Sequence, residues 1–545
     1  VGADAGRAEP HVLKWLFTQL LASMRADRGK PEFHRERARR YLDAGQWREA
    51  AASSRAALAL DPADPQDWNC LGLAYKELGE LAQAQESFDR ALTLAPGSLG
   101  ALCNAASARR DLGLIEESVA LFRRARALAP DNLDVLSAYL FTLNLSAHAG
   151  QEEVFREHME CERLLGALGR DRRRAGSAQR PERARLRIGY FSPDLRYHAV
   201  AQFVEPLLEH HDREQFEVLC YYLHPRHDAV SHHLRQLSDH WVDCAGWADA
   251  EIAARIESDG VDILVDLAGH TDWGRIPVLA RKPAPVVATW LGYLNTTGLR
   301  AVDYRITDRH TDPPGLTERF HAETLIRLPD SQWCRRAYES RIAVSPLPAA
   351  SSAAPRFGSF NKSSKLTREA LALWAGILRR IPGSSLLLAG VEDSRRDGIL
   401  GIFAAHGVEP ARLAFAGRLP LEQFLGLHRD VDIALDPYPY SGATTTFDSL
   451  WMGVPVLTFA GAAPLSRSTA SILSTLGMEN WIAHSAAEYS QLAAHHAAQT
   501  GELAELRAGL RNRLERSVLM DGAGFTRQLE ELYRQMWRAR APATG

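Results

Sequence analysis

The chain has 545 residues, 46% hydrophobic and 24% charged, with a formal net charge of −3. That length suggests three or four domains with sizeable cores, and the near-balanced charge gives no global case for nucleic acid or an acidic membrane as a partner. No apolar run reaches the roughly 18 residues a membrane span needs, and six widely spaced cysteines without a CxxC pair predict reduced thiols in a cytoplasmic protein.

In chain order, Leu13–Met24 (LKWLFTQLLASM) is amphipathic and reads as a first packed helix, not a secretory segment. Residues 30–132 then repeat with a period of 34: Gly45, Gly79 and Gly113 share that spacing, as do Pro62, Pro96 and Pro130. The middle unit, with Trp68, Leu71, Gly72, Tyr75, Ala84, Phe88, Ala91 and Pro96, matches the tetratricopeptide pattern. Gly72 and Ala84 are small where the two helices of a unit meet, Tyr75 and Phe88 are expected to fill the gap between units, and Pro96 stops the second helix. Weaker units flank it, and Leu133–Leu168 continues as a degenerate helical pair. Such a short solenoid presents a binding surface. Arginine-dense Arg170–Arg187 reads as a solvated linker.

Beyond the linker the periodicity changes. Leu186–Ser192, Phe216–Tyr222, Asp262–Leu267, Val286–Leu291 and Tyr304–Thr307 read as short buried strands between helices. After a small-residue linker, Leu347–Pro355, a second series follows at Arg356–Phe360, Ser385–Ala389, Leu413–Ala416, Ile433–Asp436 and Val456–Phe459. Two doubly wound parallel domains in tandem predict a cleft between them, lined by loops at strand C-terminal ends. The expected boundaries are 1–132 for the N-terminal helix and repeats, 133–185 for the degenerate pair and linker, 186–350 and 351–545 for the two α/β domains. The last helix, around Phe525–Trp537, is expected to dock on the sheets through Leu529, Leu532, Tyr533 and Trp537.

Four loops carry candidate chemistry. Ser441–Met452 (SGATTTFDSLWM) follows a short strand: Gly442 allows close backbone approach, and Thr444 and Thr445 open a helix whose N-terminus suits a phosphate. Asp448 lies on the same helix face as Thr445, where it would accept ribose hydroxyls. The bland alternative is an ordinary Ser/Thr-capped helix. In Ser192–His198 (SPDLRYH), Asp194 and His198 read either as an acid/base pair or as a helix cap with a surface histidine. In Pro283–Thr297, Gly292 either admits a sugar against the backbone or makes a structural turn. In Phe360–Lys365 (FNKSSK), Lys365 either meets a phosphate as a point charge or is solvated. No GxGxxG follows a strand and no Walker sequence or HExxH occurs. The adjacent pairs His210/His211, His232/His233 and His495/His496 read as solvent-exposed, and the Asp430–Asp432 pair as structural. No metal and no cofactor is expected.

Tetratricopeptide repeats followed by SPDLRYH, PAPVVATWLGY, FNKSSK, SGATTTFD and a terminal ELYRQMW closely resemble the O-linked N-acetylglucosamine transferases over residues 30–540. The resemblance implies an α + α/β architecture, a tetratricopeptide α-solenoid followed by a GT-B glycosyltransferase of two Rossmann-like domains. It implies an inverting, metal-independent enzyme that uses UDP-GlcNAc on protein serine and threonine hydroxyls, with protein acceptors met by the repeat groove. By motif match Lys365 is the diphosphate lysine. Gly442, Thr444, Thr445 and Asp448 are phosphate and ribose contacts, Asp194 and His198 stand beside the reacting sugar, and the backbone at Leu419 meets the uracil. Three positions depart from the pattern. Ala443 stands where the animal enzymes carry histidine, Lys362 replaces a glutamine in the donor loop, and Ser364 replaces a tyrosine. The family's asparagine ladder along the solenoid is represented by Glu36, Cys70 and Asn104, so it is largely missing. The candidate bases are His198, Asp194 through water, or the donor's phosphate. The rival readings are a protein O-fucosyltransferase using GDP-fucose and a scaffold that binds nucleotide without turnover.

Overall fold

The computed structural model describes residues 29–169, 185–339, 342–352 and 354–540. The Leu13–Met24 helix and most of the arginine-rich linker lie outside the described residues. The chain divides into two compact units at Pro130/Asp131. In the first, the 34-residue period becomes three helix pairs: Pro31–Asp43 with Trp47–Leu60, Pro65–Glu77 with Leu81–Leu94, and Leu99–Asp111 with Ile115–Leu128. Gly45, Gly79 and Gly113 turn the chain between the helices of each pair at φ of +68°, +81° and +71°, a conformation L side chains resist. A Cβ on Gly72 would lie 2.6 Å from the Phe88 ring. Phe88 therefore fills the interior of its own pair, not the gap between units expected from the sequence, because glycine opens the space there. Tyr75 packs against a cluster of Ala50, Ala51, Leu58, Leu71 and Ala74 that spans the first two pairs. Asn104 Nδ2 donates to Asn69 Oδ1 of the preceding pair at 3.0 Å.

The second unit contains two wholly parallel sheets. The first has β1 Leu186–Ser192, β2 Phe216–Tyr222, β3 His240–Asp243, β4 Ile263–Asp266, β5 Val286–Thr289, β6 Tyr304–Asp308 and β7 Thr324–Leu328, in the order β3-β2-β1-β4-β5-β6-β7. The second has β8 Arg356–Ser359, β9 Ser385–Ala389, β10 Leu413–Ala416, β11 Ile433–Leu435, β12 Val456–Phe459 and β13 Ile482–Ala483, in the order β10-β9-β8-β11-β12-β13. Both orders reverse beside their first strand, between β1 and β4 and between β8 and β11. Crevices open there at the strands' carboxyl ends. The interior strands are largely buried on both faces, and these the sequence predicts. β3, β7 and β13 were not expected. They lie at sheet edges: β3 (HWVD) is four residues long with both ends exposed, β7 (TLIRL) is only partly buried, and β13 has two residues.

Two further packings shape this unit. Helices Leu133–Leu143, Gln151–His158 and Glu160–Leu165 rest on the first sheet. Ser137 Oγ lies 3.0 Å from His270 Nδ1, and Asn144 Nδ2 donates to the Tyr293 hydroxyl at 2.7 Å. His158 Nδ1 bonds the Val154 carbonyl and is held neutral by burial, so its Nε2 accepts from Tyr293 OH at 2.7 Å. The last helix, Gly522–Ala539, docks on the first sheet's helix Ala199–His210: Tyr533 OH is 3.1 Å from Tyr190 OH and Glu530 accepts from His211 Nδ1 at 2.9 Å. His211 is thus buried, and so is His496, which stacks on Trp481 with ring centroids 3.8 Å apart. The reading of both pairs as exposed fails because the last helix covers His211, which follows the end of its own helix, and Trp481 covers His496. Asp432 is structural as expected, accepting from the Ala349 and Arg356 amides at 2.8 and 2.7 Å.

Truncation distinguishes these layers. Removal of residues 1–130 should leave a stable remainder. Removal of residues 1–168 strips Tyr293 and His270 of buried partners, at about 1–3 kcal/mol for each unpaired group, and uncovers the contacts of Leu136, Leu140 and Leu143. Thermal melts of the two truncations check this: the shorter protein should melt well below the longer one, and equal melting temperatures would contradict it.

Candidate active site

The loop leaving β1 folds on itself, with the Asp194 amide donating to Ser192 Oγ at 2.9 Å. His198 is the N-cap of helix Ala199–His210, its Nδ1 accepting from the Val200 amide at 3.3 Å. His198 Nδ1 also lies 3.6 Å from Asp194 Oδ1, so the cap and the carboxylate–imidazole pair coexist in one loop. Burial lifts the Asp194 carboxyl to about 6, against the pull of Arg196 and Lys362. Burial, with the same two cations, lowers His198 to about 4. Near neutrality the pair is therefore a carboxylate and a neutral imidazole. With Nδ1 accepting from an amide, the imidazole proton sits on Nε2, which makes that nitrogen a donor.

The facing half is built from two loops of the second sheet. After β8, a helical turn Ser363–Lys365 is pinned by Arg395, whose Nη1 donates to Ser363 Oγ at 2.8 Å and Nη2 to the Leu366 carbonyl at 2.9 Å. After β11, the chain runs through Asp436 to Ala443 and into helix Thr444–Trp451. Lys365 links the two loops: its Nζ donates to the Ser441 carbonyl at 2.7 Å and stands 4.0 Å from the Tyr440 ring centroid. Burial draws the lysine down to about 8, with Lys362 adding to the effect and Asp436 opposing it. Asp436, lifted to about 6 by burial, accepts from the Gly442 amide and from Thr458 Oγ1, both at 2.7 Å. A Cβ on Gly442 would lie 2.7 Å from Thr445 Oγ1 and 2.9 Å from Thr446 Oγ1, so only glycine fits there.

The helix start itself carries no side-chain cap, since Ala443 occupies the N-cap position. Its first-turn dipole points into the cleft beside partly exposed Thr444 and Thr445, and Thr445 Oγ1 donates to Asn361 Oδ1 at 3.1 Å. Exposed Lys362 couples to Asp194 and His198 from the other half and to Lys365 in its own. The structure thus brings Asp194, His198, Lys362, Lys365, Gly442, Thr444 and Thr445 to one cleft.

Three sequence-predicted residues stand differently. Asp448 is buried, and its Oδ1 accepts from Arg335 Nη1 at 2.8 Å and from the Tyr338 hydroxyl. It is first an ion-pair partner of the segment joining the two sheets. Gly292 does not hold open space for a sugar, because a Cβ there would lie 1.8 Å from the Leu267 carbonyl oxygen. Its glycine serves the close crossing of the loops after β4 and β5. Leu419 lies in the loop after β10, 38% exposed, apart from the polar cluster's hydrogen bonds. Sequence reading missed Asp436, Tyr440, Asn361 and Arg335. The signal for the first two was present in the Asp-Pro-Tyr-Pro-Tyr run, which reads simply as a turn. Among the described residues one His/carboxylate cluster has metal-ligand spacing, Glu205, Glu209 and His233, and Arg336 Nη1 already sits 2.7 Å from Glu205 there.

Residues 161–335 and 348–529 match the model of glycosyl transferase family 41, and residues 65–98 match a tetratricopeptide repeat. Similar curated proteins include the probable UDP-N-acetylglucosamine–peptide N-acetylglucosaminyltransferase SPINDLY of Solanum lycopersicum, 37% identical over 407 residues, 73% of this chain and 44% of that one. The probable enzyme of the same description named SEC, from Arabidopsis thaliana, is 28% identical over 363 residues, 65% of this chain and 37% of that one. The chain spans less than half the length of the curated relatives it matches. Among solved structures, a mutant O-GlcNAc transferase of Thermobaculum terrenum aligns with a TM-score of 0.85 at 33% identity, covering 94% of this chain and 98% of that one.

The Asp448 ion pair yields a stability expectation. Asp448→Asn leaves a buried guanidinium without its counter-charge, a change worth about 3–5 kcal/mol. The variant should melt several degrees lower. An unchanged melting temperature would contradict this structural role of the pair.

Proposed function

The chain belongs to glycosyl transferase family 41, and from that premise we propose that it transfers N-acetylglucosamine from UDP-GlcNAc to serine or threonine hydroxyls of proteins, with inversion and without a metal. The observation that carries this reading is the pairing of opposite chemistries across one cleft. Lys365 and an uncapped helix start lie on one side, and the Asp194–His198 loop on the other. The acceptor oxygen attacks the anomeric carbon as the bond to the β-phosphate oxygen breaks and the electron pair leaves with UDP. Preorganised positive charge at Lys365 and the helix start stabilises that leaving group. The acceptor's proton passes to Asp194, directly or through water, or to the departing phosphate. His198, with its proton on Nε2, serves better as a donor that orients an oxygen than as the base. The solenoid supplies recognition surface for protein acceptors.

A second reading keeps the mechanism and changes the donor to a GDP-sugar such as GDP-fucose. It is favoured by the three departures around the diphosphate and sugar, Lys362, Ser364 and Ala443. Titration with UDP, GDP and their sugars in EDTA tests both readings. UDP is expected to bind at micromolar affinity without divalent ion. Binding that vanishes in EDTA and returns with Mg²⁺ or Mn²⁺ would contradict the metal-free mechanism, and preference for GDP would select the second donor.

The pH dependence follows from the same groups. With Asp194 at about 6 and Lys365 at about 8, kcat/KM should be bell-shaped. It rises as the Asp194 carboxyl loses its proton and falls as the Lys365 ammonium loses its own. Lys365→Ala should lower kcat by about two to three orders of magnitude and flatten the alkaline limb. Retention of that limb in the variant would assign it to another group.

A further inference from the structure

Tyr440 has no role in the transfer described so far, yet it holds the group on which that transfer turns. The Lys365 ammonium sits 4.0 Å from the centre of its ring and donates to the carbonyl of the very next residue, Ser441, at 2.7 Å. Gly442 and the Thr444 helix start follow directly in the chain, so the loop that forms the phosphate cradle also seats the cation that faces it. We propose that Tyr440 is a positioning residue for the donor's diphosphate: its ring face keeps the Lys365 ammonium charged and ordered at the helix start. The inference rests on the nucleotide-sugar reading above.

The physical argument is one of sign. A lysine drawn out of water needs compensation to stay protonated. A carboxylate in contact would supply it, but would also repel the incoming diphosphate. The carboxylate that couples to it, Asp436, has its oxygens engaged by the Gly442 amide and Thr458 Oγ1. An aromatic face attracts a cation through its quadrupole without carrying net charge. Tyr440 suits that task further because burial pushes its hydroxyl up to about 12, leaving the ring neutral over the working range. The groups acting on Lys365 are then Asp436, which favours the ammonium, and Lys362, which opposes it. Tyr440 also couples electrostatically to Tyr293, in the loop after β5.

The test compares wild type with Tyr440→Phe and Tyr440→Leu, each first shown to melt like wild type. Competitive labelling of Lys365 by an amine reagent, read by mass spectrometry against pH, reports its ionisation without any nucleotide. Isothermal titration with UDP and GDP reports binding. Tyr440→Phe should keep the labelling midpoint near 8 and the affinity within about twofold, since the ring face survives. Tyr440→Leu should lower the midpoint by about one unit and weaken nucleotide binding about 10-fold at pH 7.5, in line with loss of one buried cation–π contact. A midpoint unchanged in Tyr440→Leu, or nucleotide bound as tightly as by wild type, overturns the role of Tyr440. So does a loss in Tyr440→Phe as large as in Tyr440→Leu, which would assign the effect to the hydroxyl. A wild-type chain that shows the midpoint shift between variants but binds neither UDP nor GDP would instead overturn the donor reading.

Discussion

Two parallel sheets share one site only if the carboxyl ends of their strands are held facing each other. Here that constraint is met by buried polar contacts centred on the Arg335–Asp448 pair. Arg335 belongs to the segment that leaves the first sheet, its amide bonded to the Leu519 carbonyl at 2.8 Å, and Asp448 belongs to the helix that starts at the cleft. Ser471 Oγ adds a 2.7 Å bond to Asp308 Oδ2 at the end of β6, and Arg467 Nε donates to the His310 carbonyl at 2.8 Å. Apolar packing would tolerate sliding of one half over the other. Directional contacts between desolvated groups do not, because a displaced partner is left buried and unsatisfied. The pair therefore fixes where the helix N-terminus points, more than it adds to net stability.

With that geometry fixed, the cleft separates charge between its two halves. The half from the second sheet carries Lys365, Lys362 and the helix dipole. The half from the first sheet carries a carboxylate raised to about 6 and an imidazole lowered to about 4. Desolvation acts on Lys365, Asp194 and His198 alike, but it moves the acid up and the bases down, and so brings each closer to neutrality. A lysine at about 8 and a carboxylate at about 6 still leave a window in which both are ionised.

How much of this was legible depended on the range of the interaction. The repeats, the interior strands and the final helix are local periodicities, and the sequence shows them directly. The edge strands gave less signal: β3 and β13 have four and two residues, too few to show a period, and Arg327 interrupts the apolar run of β7. Side-chain partners far apart in the chain were the least legible. Nothing in SGATTTFDSLWM announces that Asp448 meets a guanidinium 113 residues earlier, or that Gly292 is needed against Leu267. Residue type indicated that each position was special. Only the fold showed whether the reason was a ligand or a neighbour. Tyr440 illustrates the converse: embedded in a Pro-Tyr-Pro-Tyr turn, it looked like punctuation, and its contact with Lys365 exists only because β8 and β11 are adjacent.

The three departures from the animal transferases' pattern also form a connected change once placed in the fold. Ala443 removes a side chain from the N-cap position, which leaves the helix start bare. Lys362, on the facing loop, brings a cation whose field reaches Lys365, Asp194 and His198. Positive potential in the cleft is thus carried by the loop after β8 and not by an N-cap side chain. The field of Lys362 pulls the Asp194 carboxyl down against burial and adds to burial in lowering His198. One cation on the second sheet's side therefore helps hold the carboxylate ionised and the imidazole neutral on the other.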